Sequence, residues 1–208
     1  MRRTYPNIGQ VVFAVALAVV FWHLTFNVKW MNFWLSMGTA VISLTILSFC
    51  WGRLANIKKK LTIPGILLGT GSSFMLYGIF WIGNLFAQSI FQFAKPEISS
   101  IYDIRQQGQT LLITIVLLFV TSPGEEIFWR GFLQDWAMQK FGPTVGWLLA
   151  ATIYGGVHLL SANIMLTLAA LVAGLFWGYL YLRFENISIC IISHALWTVA
   201  IFVFRPIL

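Results

Sequence analysis

Three charged residues stand in an otherwise apolar part of the chain, in the stretch TSPGEEIFWRGF at residues 121–132. Glu126 and Arg130 are four residues apart, a spacing that lets two side chains pair on a helix. Glu125 points about 100° away from Glu126, because a helix completes one turn in about 3.6 residues. We therefore interpret Glu126 and Arg130 as a structural ion pair, and we expect Glu125 to face a cavity and to do chemistry.

Two histidines further along the chain each have a companion one helical turn away. Tyr154 precedes His158 in YGGVH, and Thr198 follows His194 in SHALWT. A carboxylate beside an imidazole in a dry site can hold and deprotonate a water molecule. A second imidazole, or a hydroxyl group, can donate a hydrogen bond to an oxyanion. These residues together with Glu125 predict a hydrolytic site built from three helices.

The same residues leave a metal site open. Two histidines and one carboxylate, here His158, His194 and Glu125, could hold zinc and leave its fourth position for water. The two histidines are not placed on one helix by an HExxH spacing, so the sequence does not choose between the two mechanisms. We favour a mechanism without a cofactor, because the three candidate ligands come from three separate helices.

The composition indicates a membrane protein. Of 208 residues, 59% are hydrophobic and 9% are charged, whereas about 25% is the usual charged fraction of soluble domains. The net charge of +7 does not indicate a nucleic-acid partner, because no basic stretch is interleaved with aromatic residues. Cys50 and Cys190 stand alone in apolar segments and predict neither a disulfide framework nor a redox site.

The apolar segments predict an all-α polytopic transmembrane bundle in a single domain, residues 1–208. A spanning helix needs about 20 mostly apolar residues, and the basic, apolar N-terminus is interpreted as a retained first helix. Pro123 and Gly124 are expected to break or kink the fourth span. The polar stretch at 94–109 is expected to be a surface loop or a short amphipathic helix. The seven predicted spans are 8–26, 31–51, 63–93, 110–140, 144–160, 164–183 and 187–205.

Basic residues predict the orientation, since cytoplasmic loops are enriched in Lys and Arg. With the N-terminus inside, cytoplasmic segments hold more of them than outer segments, and the KKK run at 58–60 dominates the difference. We expect an integral protein of the bacterial plasma membrane with a cytoplasmic N-terminus. The cytoplasmic group is Arg2, Arg3, Arg53, Lys58, Lys59, Lys60, Lys140 and Arg183, and the outer group is Lys29, Lys95, Arg105 and Arg205.

The three motifs together resemble those of the CPBP family, the CAAX-protease and bacteriocin-processing intramembrane proteases also called the Abi family. The family pattern is Glu-Glu-x-x-x-Arg, then an aromatic residue three positions before a His, then His-x-x-x-Asn. The resemblance covers roughly residues 110–205, the expected catalytic core, and includes GLFWGYLY at 174–181. Two positions depart from the pattern, because Tyr154 replaces the usual Phe and Thr198 replaces the usual Asn.

The resemblance implies a role for each matching residue. Glu125 and His158 would activate water, and His194 with Thr198 would stabilise the oxyanion. Glu126 and Arg130 would be the structural ion pair.

Three functions follow from these observations. The first is an intramembrane endopeptidase that acts on a membrane-bound or lipid-modified peptide. The second is a relative of the protease that keeps the cavity but transfers an acyl group to a lipoprotein amine. Thr198, which is shorter than the usual Asn, favours this second function. The third is a non-catalytic membrane scaffold or immunity factor, against which the intact Glu125, His158 and His194 argue. The expected partners are the lipid bilayer and a lipidated peptide or lipoprotein, with no nucleic acid.

Overall fold

The fold is an all-α bundle, described here from a computed structural model that covers residues 5–52 and 61–207. Within those residues all regular structure is helical, and seven helices have the length and apolar composition to cross a membrane. They confirm the predicted fold class and the predicted spans to within a few residues. The spanning helices are α1 (Ile8–Val28), α2 (Phe33–Trp51), α3 (Ile63–Ile90), α5 (Thr110–Phe141), α6 (Pro143–Ser161), α7 (Ile164–Phe184) and α8 (Ile187–Phe204).

The polar stretch between α3 and α5 forms a short helix. This helix, α4 (Ala94–Asp103), is followed by a 3₁₀ turn at Ile104–Gln107, in agreement with the amphipathic helix that was one of the two expectations. Glu97 fixes α4 to the start of α7, because its Oε2 accepts a hydrogen bond from the backbone N–H of Met165 at 2.8 Å. The side chain of Asn163 donates to the Glu97 carbonyl at 2.9 Å.

Side-chain caps begin most of the spanning helices. The first backbone N–H groups of a helix lack partners within it, and in an apolar medium each must be satisfied. A side-chain oxygen accepts one of these N–H groups at the start of α1, α2, α3, α7 and α8. The capping residues are Asn7, Asn32, Thr62, Asn163 and Asn186.

Helix α5 is continuous through Pro123, so of the expected break or kink the break does not occur. A π-helical turn at Leu117–Thr121 is followed by one α-helical turn at Ser122–Glu126 and a second π-helical stretch at Ile127–Gln134. Pro123 directly follows the π-helical turn, in which the Ser122 N–H donates to the Leu117 carbonyl five residues earlier. The regular α-helical hydrogen-bond pattern is therefore already shifted where proline lacks its N–H. Gly124 allows α5 to pack closely against α2, because a Cβ there would overlap the Val41 side chain and lie 2.7 Å from Oγ1 of Thr45.

The two larger of three groups of buried apolar side chains in the described residues join most of the spanning helices. One lies between α1, α2, α5 and α6 and includes Trp22, Phe128 and Trp129. The other lies between α3, α7 and α8 and includes Leu76 and Trp177. Large apolar side chains also point outward, as expected of helices in contact with lipid. On α3 these are Leu67, Phe74, Met75 and Ile82.

The predicted orientation depends largely on residues that lie outside the described ranges. Arg2, Arg3, Arg53, Lys58, Lys59 and Lys60 belong to 1–4 and 53–60. The described helices place α4, the end of α1 and the start of α7 on one side of the bundle, and the α5–α6 and α7–α8 connections on the other.

Gly124→Ala should lower the thermal stability of the protein, because the added methyl group meets Val41 and Thr45 on α2. Overpacking of this kind typically costs about 1–3 kcal/mol. Thermal unfolding in detergent measures the loss. Gly78→Ala is the control, since a Cβ at Gly78 meets nothing within 4 Å. Val41→Ala should restore part of the stability of Gly124→Ala, and the absence of any restoration would contradict this account of the contact.

Candidate functional site

A cavity of about 480 Å³ lies inside the bundle, and Glu125, His158, His194 and Thr198 all line it. Helices α5, α6 and α8 supply these four residues, as the sequence predicts. The rest of the lining is mainly apolar and comes from α3, α4, α7 and the ends of α1 and α2. Ile98, Ile101 and Tyr102 of α4 lie on its wall. The cavity thus brings a few ionisable groups into contact with space that suits an apolar ligand.

Glu126 is the centre of a buried charged group. Its Oε1 accepts a hydrogen bond from Nη1 of Arg130 at 3.0 Å and lies 2.8 Å from Nδ1 of His194. Glu126 has no exposed surface and Arg130 is 2% exposed. Nη2 of Arg130 lies 3.4 Å from the Gly174 carbonyl on α7, to which it donates. The predicted i,i+4 pair is therefore joined to α7 and α8.

Aromatic rings cover the remaining faces of this charged group. The Arg130 guanidinium lies 4.8 Å from the ring centre of Tyr154 and 5.5 Å from that of Trp177. The imidazole of His194 stacks on Trp177, with ring centres 3.8 Å apart and planes 17° apart. A guanidinium over an aromatic face is stabilised electrostatically, and more strongly where water is excluded. Trp177 thus fixes the plane of an imidazole whose Nδ1 faces Glu126.

Glu125 faces a different environment from its neighbour Glu126. It lines the cavity, is 7% exposed, and its Oε2 accepts a hydrogen bond from the Tyr154 hydroxyl at 3.0 Å. The two adjacent carboxylates point in different directions, as the geometry of a helix requires. Glu126 is bound by Arg130 and His194 inside the bundle, and Glu125 lies at the edge of the cavity.

His158 is held by both of its ring nitrogens. Nδ1 lies 2.8 Å from the Tyr154 carbonyl, which can only accept, so Nδ1 carries the hydrogen. Nε2 then accepts, and the indole N–H of Trp22 donates to it at 3.3 Å. These contacts define a neutral imidazole with a known tautomer. Within the described residues Glu125 and His158 share the cavity, but no hydrogen bond joins them.

The hydroxyl of Thr198 has no hydrogen-bond partner in the described part of the chain. Its Oγ1 is shielded from solvent, although the residue lines the cavity one helical turn beyond His194. A hydroxyl in a helix usually bonds back to the carbonyl four residues earlier, as Ser48 does with Leu44 at 2.7 Å. Thr198 makes no such bond, so its hydrogen is not committed to the helix.

The three candidate zinc ligands do not form a recognisable metal centre. Among residues 5–52 and 61–207, no group of three or more His, Cys, Asp or Glu side chains is arranged to hold a metal ion. Each of the three side chains instead bonds to another residue: Glu125 to Tyr154, His194 to Glu126, and His158 to Trp22.

Sequence reasoning missed two residues that contact the site. Trp22 reaches His158 across 136 positions of sequence, and nothing in the pattern around Trp22 indicates that contact. Trp177 lies within the GLFWGYLY stretch, but its position under His194 depends on how α7 packs against α8. Tyr154 carried a signal, because its spacing to His158 was evident, yet its hydroxyl bond to Glu125 was not predicted.

Residues 107–200 match the family model for type II CAAX prenyl endopeptidase Rce1-like proteins. The resemblance to the CPBP and CAAX-protease group is thereby confirmed over this segment. The segment contains Glu125, Glu126, Arg130, Tyr154, His158, His194 and Thr198, whereas Trp22 lies outside it. Comparison with curated proteins and with solved structures gives no match.

Glu126→Gln should destabilise the protein strongly. It leaves the Arg130 guanidinium in the bundle interior without a carboxylate, and breaking a buried ion pair typically costs about 3–5 kcal/mol. Denaturant or thermal unfolding of the purified protein measures the loss. Glu125→Gln is the matched control, since the same change one residue earlier leaves the Arg130 pair intact and retains an acceptor for Tyr154. Equal stability of the two variants would contradict the assignment of Glu126 as the partner of Arg130.

Proposed function

Because residues 107–200 match a CAAX endopeptidase family model, we propose that this protein is an intramembrane endopeptidase acting on a membrane-bound or lipid-modified peptide. The observation that carries the proposal is the difference between two adjacent carboxylates. Glu126 is bound to Arg130 and His194, whereas Glu125 lines the cavity with one oxygen held by Tyr154. Glu125 is therefore the carboxylate that can exchange a proton with a bound molecule.

Glu125 acts as the general base. A water molecule in the cavity gives a proton to the Glu125 carboxylate while its oxygen attacks the carbonyl carbon of the scissile peptide bond. His158 holds this water through Nε2, its acceptor nitrogen. The Trp22 hydrogen bond to Nε2 is 3.3 Å long, beyond the usual range of about 2.7–3.2 Å, so water can replace it. Glu125 then returns the proton to the leaving amine, which restores the carboxylate.

His194 and Thr198 stabilise the oxyanion that forms in this step. With Nδ1 directed at Glu126, the imidazolium form of His194 donates Nε2–H towards the cavity. The uncommitted Thr198 hydroxyl is the second donor.

The apolar part of the cavity suits the lipid of a modified peptide. Phe80 and Phe86 of α3, Ile98 and Ile101 of α4, and Val172 of α7 line it beside the proposed catalytic residues. A lipid chain lying along these side chains would bring the attached peptide to Glu125. With the N-terminus in the cytoplasm, as the distribution of basic residues favours, α4 and this part of the cavity lie in the outer half of the bilayer.

Transfer of an acyl group to a lipoprotein amine is the second candidate, and the identity of Thr198 favours it. A Thr hydroxyl reaches less far than the Asn amide that the resemblance leads one to expect there. Mass spectrometry distinguishes the two activities when the purified protein is incubated with a farnesylated CAAX peptide or a diacylated lipopeptide. A shortened peptide supports the endopeptidase, and an unshortened lipopeptide with an added acyl group supports the transferase.

Glu125→Gln should abolish activity and leave the fold intact, because the amide fills the same space but cannot take a proton. The measurement is the turnover of the farnesylated peptide, together with the thermal unfolding temperature of the variant. Glu185→Gln is the control for the same chemical change, since Glu185 lies at the exposed end of α7. Full turnover by Glu125→Gln would overturn the proposal that this carboxylate activates water.

Thr198→Val should slow turnover by about a hundredfold or more, because one preorganised oxyanion donor contributes roughly 2.7–4 kcal/mol. Valine has a similar shape and lacks only the donor. Thr198→Asn should keep or raise activity, since it supplies a longer donor at the same place. Single-turnover rates of both variants test this role. A fully active Val variant with an impaired Asn variant would favour the acyl-transfer reaction over peptide hydrolysis.

A further inference from the structure

The geometry points to Tyr154 as a positioning residue that sets the direction of the Glu125 carboxylate, an inference that rests on the proposed role of Glu125 as the base. The Tyr154 hydroxyl donates to Oε2 of Glu125 at 3.0 Å. A carboxylate has two oxygens, so this bond leaves Oε1 to receive the proton of the attacking water. The hydroxyl thereby selects both the rotamer of Glu125 and the oxygen that reacts.

Contacts on several sides fix the ring that carries this hydroxyl. The guanidinium of Arg130 lies 4.8 Å from the ring centre. Trp129 and His158 make edge-to-face contacts with the ring, with centres 5.2 Å and 4.9 Å away. Tyr154 is 5% exposed. A phenol held in this way has its hydroxyl oriented before a substrate arrives, which is the condition for precise placement of a catalytic group.

Tyr154 also connects the parts of the site that make no direct contact with each other. Its hydroxyl holds Glu125, its ring covers Arg130 of the buried charged group, and its carbonyl accepts the Nδ1 hydrogen of His158. The first two contacts are made by the side chain and the third by the backbone. A side-chain substitution therefore tests the Glu125 contact while leaving the His158 carbonyl contact in place.

Gly174 on α7 provides the space for the ring. A Cβ at Gly174 would lie 2.9 Å from Cδ1 of Tyr154 and 3.3 Å from the Ala151 carbonyl oxygen. An alanine at this position must push the ring away from α7 and the hydroxyl away from its place. Gly174→Ala thus alters the position of Tyr154 without removing any of its atoms.

The resemblance leads one to expect a phenylalanine at position 154, and a phenylalanine would lack the hydroxyl. Tyr154→Phe keeps the ring and its contacts with Arg130, Trp129 and His158, and it loses only the bond to Glu125. Hydrogen bonds to charged groups are the stronger class in proteins. If the bond serves the transition state, its loss should lower kcat by about tenfold to a hundredfold with KM unchanged.

The experiment measures kcat, KM and thermal unfolding of the purified wild-type protein and three variants, with a farnesylated CAAX peptide as the probe. Tyr154→Phe and Gly174→Ala should both lower kcat, and Tyr154→Phe should unfold at the wild-type temperature. Gly156→Ala is the control on α6, because a Cβ there meets nothing within 4 Å, and it should keep the wild-type kcat. A fall in thermal stability of Tyr154→Phe with no separate loss of kcat would mean a purely structural role and would overturn the inference.

Infrared difference spectra give a readout that does not require turnover. The carboxyl band of Glu125 is identified by its disappearance in Glu125→Gln, and it should shift in Tyr154→Phe because the hydrogen bond to Oε2 is lost. An unshifted band overturns the inference. The two proposals also fail differently: an active Glu125→Gln protein removes the proposed function, whereas an inactive Glu125→Gln with a fully active Tyr154→Phe removes only the role of Tyr154.

Discussion

The buried group of Arg130, Glu126 and His194 is the constraint around which the site is arranged. A guanidinium inside a membrane is energetically costly unless it is paired. Glu126 provides the carboxylate, Gly174 of α7 a carbonyl, and Tyr154 and Trp177 two aromatic faces. Because His194 of α8 contacts the same carboxylate oxygen, the group fixes α5 against both α7 and α8. A rotation of α5 would break several of these contacts together.

The direction of Glu125 follows from that constraint. Two adjacent residues on a helix cannot point the same way, so holding Glu126 against Arg130 turns Glu125 towards the cavity. Two chemically identical side chains thereby acquire different environments: one oxygen of Glu126 is bound by Arg130 and His194, whereas Glu125 is touched by a single phenol. In the proposed mechanism the first keeps the site together and the second moves a proton. The π-helical stretches on either side of Ser122–Glu126 belong to the same arrangement, since they change the direction in which this short α-helical segment of α5 presents its side chains.

The part of the chain outside the family match also contributes to the site. Trp22 of α1 donates to His158, and α3 and α4 form much of the apolar wall of the cavity. The matching segment supplies the ionisable groups, while the part before it supplies one of their hydrogen-bond partners and many apolar residues of the cavity wall. In the proposed function, the matching segment performs the chemistry and the preceding helices contact the lipid of the substrate.

The sequence by itself determined the fold class, the seven spans and four residues that line the cavity, Glu125, His158, His194 and Thr198. Long apolar segments leave a chain few alternatives in a bilayer, because every backbone group must be satisfied within a helix. The i,i+4 spacing of Glu126 and Arg130 is a local property of one helix, so their pairing could be predicted. No break occurs at Pro123, because the π-helical turn before it has already shifted the hydrogen bonds of α5 to partners five residues apart.

Only the tertiary structure decided the contacts between helices. Trp22 and His158 are 136 positions apart, and the stacking of His194 on Trp177 depends on how two helices cross. The bond from Tyr154 to Glu125 requires α6 to approach α5 at one particular rotation, which Gly174 permits by leaving room for the ring. No pattern along the chain records such distances. They are set by packing, which selects one rotation for each helix because the buried charges and large rings fit together in that arrangement.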